Sequence, residues 1–158
     1  MRIRDIAEAD IPVLLALNNA EAEAVNALSR ERFEGLLRTA FAARVAETGA
    51  GFLIAFDHAT PPQGPNHAWF TARESAFAYV DRVVVAPWAR RQGVARALYE
   101  DLAALARAER IPLLAVEVNL DPPNPAGLAF HQRLGFLPAG EGKDPRTGKT
   151  VRYLRRVI

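Results

Sequence analysis

The chain of 158 residues contains no cysteine. That removes disulfides, thiolate zinc sites and a cysteine nucleophile together. Histidine is scarce. His58, His67 and His131 stand far apart in sequence, so no metal site is expected. No apolar run approaches the ~18 residues that a membrane span requires, and no membrane partner is expected. Arg2, Arg4, Asp5, Glu8 and Asp10 break any signal-peptide core near Met1, so a cytoplasmic location is the expectation. Neither sign of charge dominates: 20 Lys and Arg face 18 Asp and Glu, a net +2. So weak a bias suits an anionic cofactor and nucleic acid alike and selects neither. Internal repeats and low-complexity tracts are missing too.

What remains is ordinary for a globular chain, half of it apolar, and the length fits one domain over 1–158. Met1 to Asp5 reads as a first strand. Asp10 to Ala20 reads as a helix with Asp10 as N-cap, and a second helix starts at Ser29 and buries Phe33, Leu36 and Leu37. Phe41–Glu47 and Gly51–Phe56 form a hairpin across Thr48-Gly49-Ala50. Asp57 to Ala76 reads as a connection of about twenty residues, a length that is usually functional in a compact domain. Phe77 to Val85 is a strand and Gly93 to Arg107 a helix. Leu113 to Val118 is nearly continuous apolar, as in a strand buried on both faces. Asn124 to Leu134 is a helix with Asn124 as N-cap, Pro125 in its first turn and Gly135 past its end. Leu137–Lys143 and Thr150–Val157 close the chain as a hairpin. The order β-α-α-β-β-β-α-β-α-β-β gives a mixed α/β class with a strand-helix-strand crossover.

The strongest chemical signal is Val83-Val84-Val85-Ala86-Pro87-Trp88-Ala89-Arg90-Arg91-Gln92-Gly93-Val94-Ala95. A strand ends, Pro87 forces a turn, and a helix begins at Gly93. Free N–H groups at a helix start, two arginines and small residues at Gly93 and Ala95 suit a pyrophosphate. The turn around Gly148-Lys149-Thr150 does not compete as a P-loop, because Lys143 stands where glycine is required.

This stretch resembles the GNAT superfamily of N-acetyltransferases, whose signature of Arg or Gln, two residues, Gly, one residue and Gly or Ala is matched by Arg90-x-x-Gly93-x-Ala95. The resemblance implies a central, mostly antiparallel sheet flanked by helices and splayed where two parallel strands diverge. It implies acetyl-CoA as cosubstrate. The pyrophosphate would lie on the amides of Arg91, Gln92, Gly93, Val94, Ala95 and Arg96, beside Arg90, and the pantetheine arm on the backbone of Val83 and Val85. The reaction implied is direct acetyl transfer to a primary amine in a ternary complex. A homodimer is among the assemblies that the resemblance admits.

A second block, Asn124-Pro125-Ala126-Gly127-Leu128-Ala129-Phe130-His131-Gln132-Arg133-Leu134-Gly135-Phe136, extends the resemblance, and Asn124 is counted with the cofactor residues. The block is also similar to ribosomal-protein N-terminal acetyltransferases, in which a strand glutamate is the base and a helix tyrosine the acid. Glu117 falls at the first position and His131 at the second. Two departures stand out: histidine replaces the tyrosine, and the loop Leu120 to Pro123 is longer. Glu117, a carboxylate in an apolar run, is either a base or half of an ion pair. His131 is either an acid toward the CoA sulfur or a packing residue. Asp81 shares a strand face with Tyr79, Val83 and Val85. Asp81 is either a base or an arginine partner, and in some family members the base lies near the position of Tyr79.

A base is wanted because an amine of pKa ~10.4 is neutral in only about one molecule in 2500 at pH 7, a cost of about 4.6 kcal/mol. The acceptor pocket is expected from Asn18 and Glu21 on the first helix and from Asn66, Trp69, Phe70 and Phe77 around the long connection. A non-catalytic acyl-CoA sensor would need Arg90 to Ala95 but not Glu117 or His131. RNA binding through Arg152, Arg155 and Arg156 is the weaker rival, since three arginines on one strand are usually a solvated face.

Overall fold

A computed structural model describes residues 1–158, apart from the side chains of Glu23 and Ala24. The strands are β1 (Ile3–Asp5), β2 (Ala42–Ala46), β3 (Gly51–Asp57), β4 (Ala78–Val85), β5 (Leu113–Asp121), β6 (Leu137–Lys143) and β7 (Thr150–Val157). The helices are α1 (Ile11–Ala20), α2 (Ala22–Val25), α3 (Arg30–Thr39), α4 (Pro65–Thr71), α5 (Val94–Ala108) and α6 (Pro125–Arg133). Hydrogen bonding orders the strands β1-β2-β3-β4-β5-β7-β6. The ladders β1–β2, β2–β3, β5–β7 and β6–β7 are antiparallel, whereas β4–β5 is parallel. This is the mixed, mostly antiparallel class expected. The chain resolves into two units, Met1–Phe56 with Val80–Leu105, and Asp57–Tyr79 with Ala106–Ile158.

In the first unit, β3 is buried through Phe56, which accounts for its unbroken apolar sequence. Phe33 of α3 meets Phe52 edge to face at 5.8 Å. Ser29 caps α3 as expected, its hydroxyl accepting from the Arg32 amide at 3.2 Å. Leu36 and Leu37 are only half-buried. Asp10 does not cap α1. Its carboxylate accepts from the Ala7 amide and from Arg4, closing a 3-10 turn over Glu8–Asp10. The helix offers it little in exchange, because Pro12 in the first turn has no N–H. Arg44 of β2 binds Asp5 of β1 and Asp101 of α5, tying three elements by charge. Val94, Leu98 and Leu102 of α5 are buried.

In the second unit, the expected long connection contains α4. Gly64, at φ +131, turns the chain into Pro65, whose fixed φ starts the helix. The composition that read as a loop thus marks a short helix that buries Asn66, His67 and Phe70. Strand β5 runs past Val118 to Asp121, with an irregularity between Asn119 and Asp121. The parallel ladder joins Ala78 to Leu114 and Tyr79 to Ala115. In the antiparallel ladder Glu117 lies opposite Tyr153. The closing hairpin β6–β7 is as read from sequence. Asn124 caps α6 through the Gly127 amide at 3.0 Å, and Gly135 takes φ +93 beyond its end.

Two glycines of the first unit give opposite expectations. A methyl at Gly51 would meet the Val84 carbonyl oxygen at 2.8 Å, backbone that cannot swing aside. Gly51→Ala is expected to lower stability by ~1–3 kcal/mol. Gly35 lies inside α3 with only an arginine tip near, so Gly35→Ala should raise stability by ~0.5–1 kcal/mol. Urea unfolding of both variants checks the signs.

Candidate functional site

Strand β4 alternates cleanly after Val80. Arg82 and Val84 are buried, while Asp81, Val83 and Val85 are half-buried on the other face. Of its eight residues, the first two pair with β5. Beyond Val85 a 3-10 turn, Pro87–Ala89, leads into Arg90, Arg91, Gln92 and Gly93, all exposed. Arg91 at φ +63 and Gly93 at φ +78 are both left-handed. Such a backbone turns successive N–H groups toward one side, a geometry suited to oxyanions. At its φ any side chain in place of Gly93 would be strained. The direction in which its side chain would point is open for 4 Å among the described residues. Val94 is buried in the first turn of α5, Ala95 is half-buried and Arg96 exposed. The 15 residues of α5 give that turn a substantial helix dipole.

Glu21, expected in the acceptor pocket, forms an ion pair with Arg90, expected at the cofactor. Asn18 is fully buried. Its amide donates to Asn19 and to the Asn26 carbonyl, and its oxygen accepts from Arg82. Asp81 forms an ion pair with the same Arg82 at 2.8 Å. Arg82 was not anticipated. An arginine between valines on a strand is a signal, but its partners are distant in sequence.

The second unit gathers the other candidates. Glu117 is half-buried in β5. The Tyr79 hydroxyl donates to its Oε2 at 2.7 Å, and the Asn66 amide to its Oε1 at 3.2 Å. Asn66 in turn accepts from the Tyr153 hydroxyl at 2.9 Å. His67 stacks on Tyr79 at 5.3 Å. Its Nδ1 accepts from the Gln63 amide and its Nε2 donates to the Asp57 carbonyl, which fixes a neutral tautomer. Trp69 lies between the stacked ring of Tyr153, at 4.1 Å, and the Arg73 guanidinium, at 4.0 Å. Phe70 and Phe77 have no exposed surface and belong to the core. Asn124 is exposed at the head of α6, where it serves the cap. Tyr153 and His67 were missed in the sequence. Only strand register sets Tyr153 against Glu117.

Burial pushes the Tyr153 hydroxyl above its ordinary value, and the Glu117 charge adds to this, so it stays a phenol. Burial also lowers the His131 pKa, against an opposing hydrogen bond to the Gly127 carbonyl. With Nδ1 donating to that carbonyl at 2.7 Å, His131 is a neutral ring packed edge-on to Phe136. That state does not suit a proton donor. Among the described residues no three His, Cys, Asp or Glu side chains group as a metal site, and no helix is long and apolar enough to cross a membrane.

The depressed His131 pKa fixes the sign of a pH effect. The unfolded chain takes the proton more readily, so this group's contribution is full above about 6.5 and declines as pH falls below it. Urea unfolding at pH 5 and pH 7 should show a smaller pH difference in His131→Phe than in the wild type. Equal differences would remove His131 as the source.

Residues 16–136, well over half of the chain, match the acetyltransferase (GNAT) family. No curated protein sequence matches the chain. Among solved structures, the ribosomal-protein-alanine N-acetyltransferase from Brucella melitensis is 24% identical, with both chains covered completely and a TM-score of 0.74. Ard1 from Thermoplasma volcanium is 17% identical over 99% of this chain and 97% of that one, with a TM-score of 0.78. A NatC complex bound to Gag peptide and CoA is 14% identical over 99% and 98%, with a TM-score of 0.74. At these identities the structures establish the fold. The family match goes further, and with the splice of strand, basic turn and helix that carries its signature, the chain belongs to the GNAT family of acetyltransferases.

Proposed function

We propose that the protein transfers an acetyl group from acetyl-CoA to a primary amine by direct attack, with Glu117 as general base. The observation that carries this reading is the half-buried Glu117 carboxylate, held by donors on both oxygens. Donors to the charged form keep a carboxylate ionised. An ionised carboxylate attracts a cationic amine and accepts its proton. The neutral nitrogen then attacks the acetyl carbonyl carbon, the C–S bond breaks, and the departing CoA thiolate takes up the proton that the new amide nitrogen releases. The chain has no cysteine to form a thioester of its own.

The donor is assigned to the turn Arg90–Arg96 and the half-buried face of β4. Left-handed Arg91 and Gly93 present amides to the pyrophosphate, and Arg90 and Arg91 add charge. Val83 and Val85 offer strand backbone to the pantetheine amides. Arg90 must exchange Glu21 for the pyrophosphate if its side chain is to contribute. Tyr79, donating to Glu117, orients the base. Asp81 is held by Arg82 and is not needed in this scheme.

Release of CoA thiol across a panel of amines, from polyamine and lysine to an alanine-initiated peptide, tests the reaction. Acetyl-CoA binding by calorimetry with no thiol release from any of them would favour a sensor. Glu117→Gln should lower kcat by ~10²–10⁴-fold and leave acetyl-CoA affinity within twofold, about the scatter expected of a site not touched. Gly93→Val should do the reverse, weakening acetyl-CoA binding by about tenfold, as strain of ~1–3 kcal/mol at a left-handed residue allows.

A further inference from the structure

Asn66 stands at the centre of a hydrogen-bonded chain that runs beyond Glu117 to Tyr153, a residue the reaction scheme does not use. It is 7% exposed, and both ends of its amide are engaged, one by Glu117 and one by Tyr153. We propose that Asn66 and Tyr153 are positioning residues that aim the Glu117 carboxylate, Tyr153 holding the amide oxygen so that the amide NH2 faces Glu117. This rests on the reading of Glu117 as the base.

An amide can present either of two ends to a neighbour. Turned over, Asn66 would place its oxygen against a carboxylate oxygen, and two acceptors repel. The observed orientation needs a donor for the oxygen at its other end, and the Tyr153 hydroxyl supplies it at 2.9 Å. Water is a poor substitute at a buried atom. Tyr153 is itself fixed. It lies opposite Glu117 in the β5–β7 ladder, and its ring is stacked 4.1 Å from Trp69 at 13°. Trp69 is one helical turn from Asn66, so a single face of α4 meets Tyr153 twice, once by ring and once by hydrogen bond. Gly140 leaves room for this, since a methyl there would come within 2.6 Å of the Trp69 ring. With Asn66 on one oxygen and Tyr79 on the other, the plane of the carboxylate is set, and with it the direction of its remaining lone pairs.

The groups that bear on Glu117 come from several elements. Tyr79 comes from β4, with His67 of α4 stacked upon it. Asn66 also comes from α4, and Tyr153 from β7. Asp144 and Arg73 act on Tyr153 with opposite signs. Removing the Tyr153 hydroxyl alone deletes its hydrogen bond to Asn66 and leaves the Tyr79, His67 and Trp69 contacts in place.

The test is a 13C NMR titration of the glutamate side-chain carbons in the full chain without ligands, with Glu117→Gln to assign the signal. Tyr153→Phe keeps the ring stack and removes the hydroxyl. Its Glu117 midpoint should rise by ~0.5–1 pH unit, as loss of a well-aimed donor to a carboxylate predicts. Asn66→Leu should raise it by at least as much. Retained Trp69 emission in Tyr153→Phe certifies the fold. Midpoints within 0.2 units of wild type in both variants, a margin of about titration error, would overturn the positioning role. For the panel amine with the highest rate, the acidic limb of kcat should move with the NMR midpoint while the acetyl-CoA KM holds. A moved midpoint with an unmoved limb would uphold the positioning and remove Glu117 as the base, so the two failures differ. A loss of thermal stability with no change of midpoint would mark both residues as structural only and overturn the inference.

Discussion

The short parallel ladder between β4 and β5 is the constraint on which the hydrogen-bonded cluster around Glu117 depends. It pairs Tyr79 with Ala115, and Glu117 follows Ala115 on the same strand face. That register sets a phenol beside a carboxylate, and the hydrogen bond between them follows at 2.7 Å. A shift by one residue would turn Glu117 to the opposite face and leave a charge among apolar side chains. The same strand β4 then runs on to the exposed basic turn. One strand therefore carries Tyr79, which touches Glu117, and leads into the turn that bears the family signature.

What could be read from sequence was local. Ser29 and Asn124 cap their helices because a cap needs nothing beyond the next three residues. The basic turn was legible for the same reason: strand, proline, arginines and glycine follow one another directly. Glu117 drew notice because a carboxylate in an apolar run requires compensation. The compensating partners were not legible. Asn66 lies 51 residues away and reaches Glu117 from α4. Asp10 failed as a cap because Arg4 and a proline in the helix start changed the competition for its carboxylate.

The long connection is instructive in another way. Its length pointed to a connection without regular structure, yet Pro65 begins a helix, and seven residues are enough to seat Asn66, His67, Trp69 and Phe70. Propensity for such a helix in isolation is poor. Burial of Phe70 and His67 and the stacking of Trp69 hold it. Of the residues expected to line an acceptor pocket, Phe70 and Phe77 are core, and Asn18 is enclosed by its own hydrogen bonds. Asn18 is thus scaffold beneath β4, and its burial is what shows this.

The two tryptophans divide the molecule between them. Trp88 is 63% exposed on the turn ahead of Arg90, in the first unit. Trp69 is enclosed by Tyr153 and Arg73 in the second. An indole in water emits at longer wavelength than one shielded by rings, and a dissolved iodide ion reaches the first more readily than the half-buried second. The protein thus carries an intrinsic pair of optical reporters, one for the basic turn and one for the helix beside the carboxylate. Events at either can be followed in the unlabelled chain.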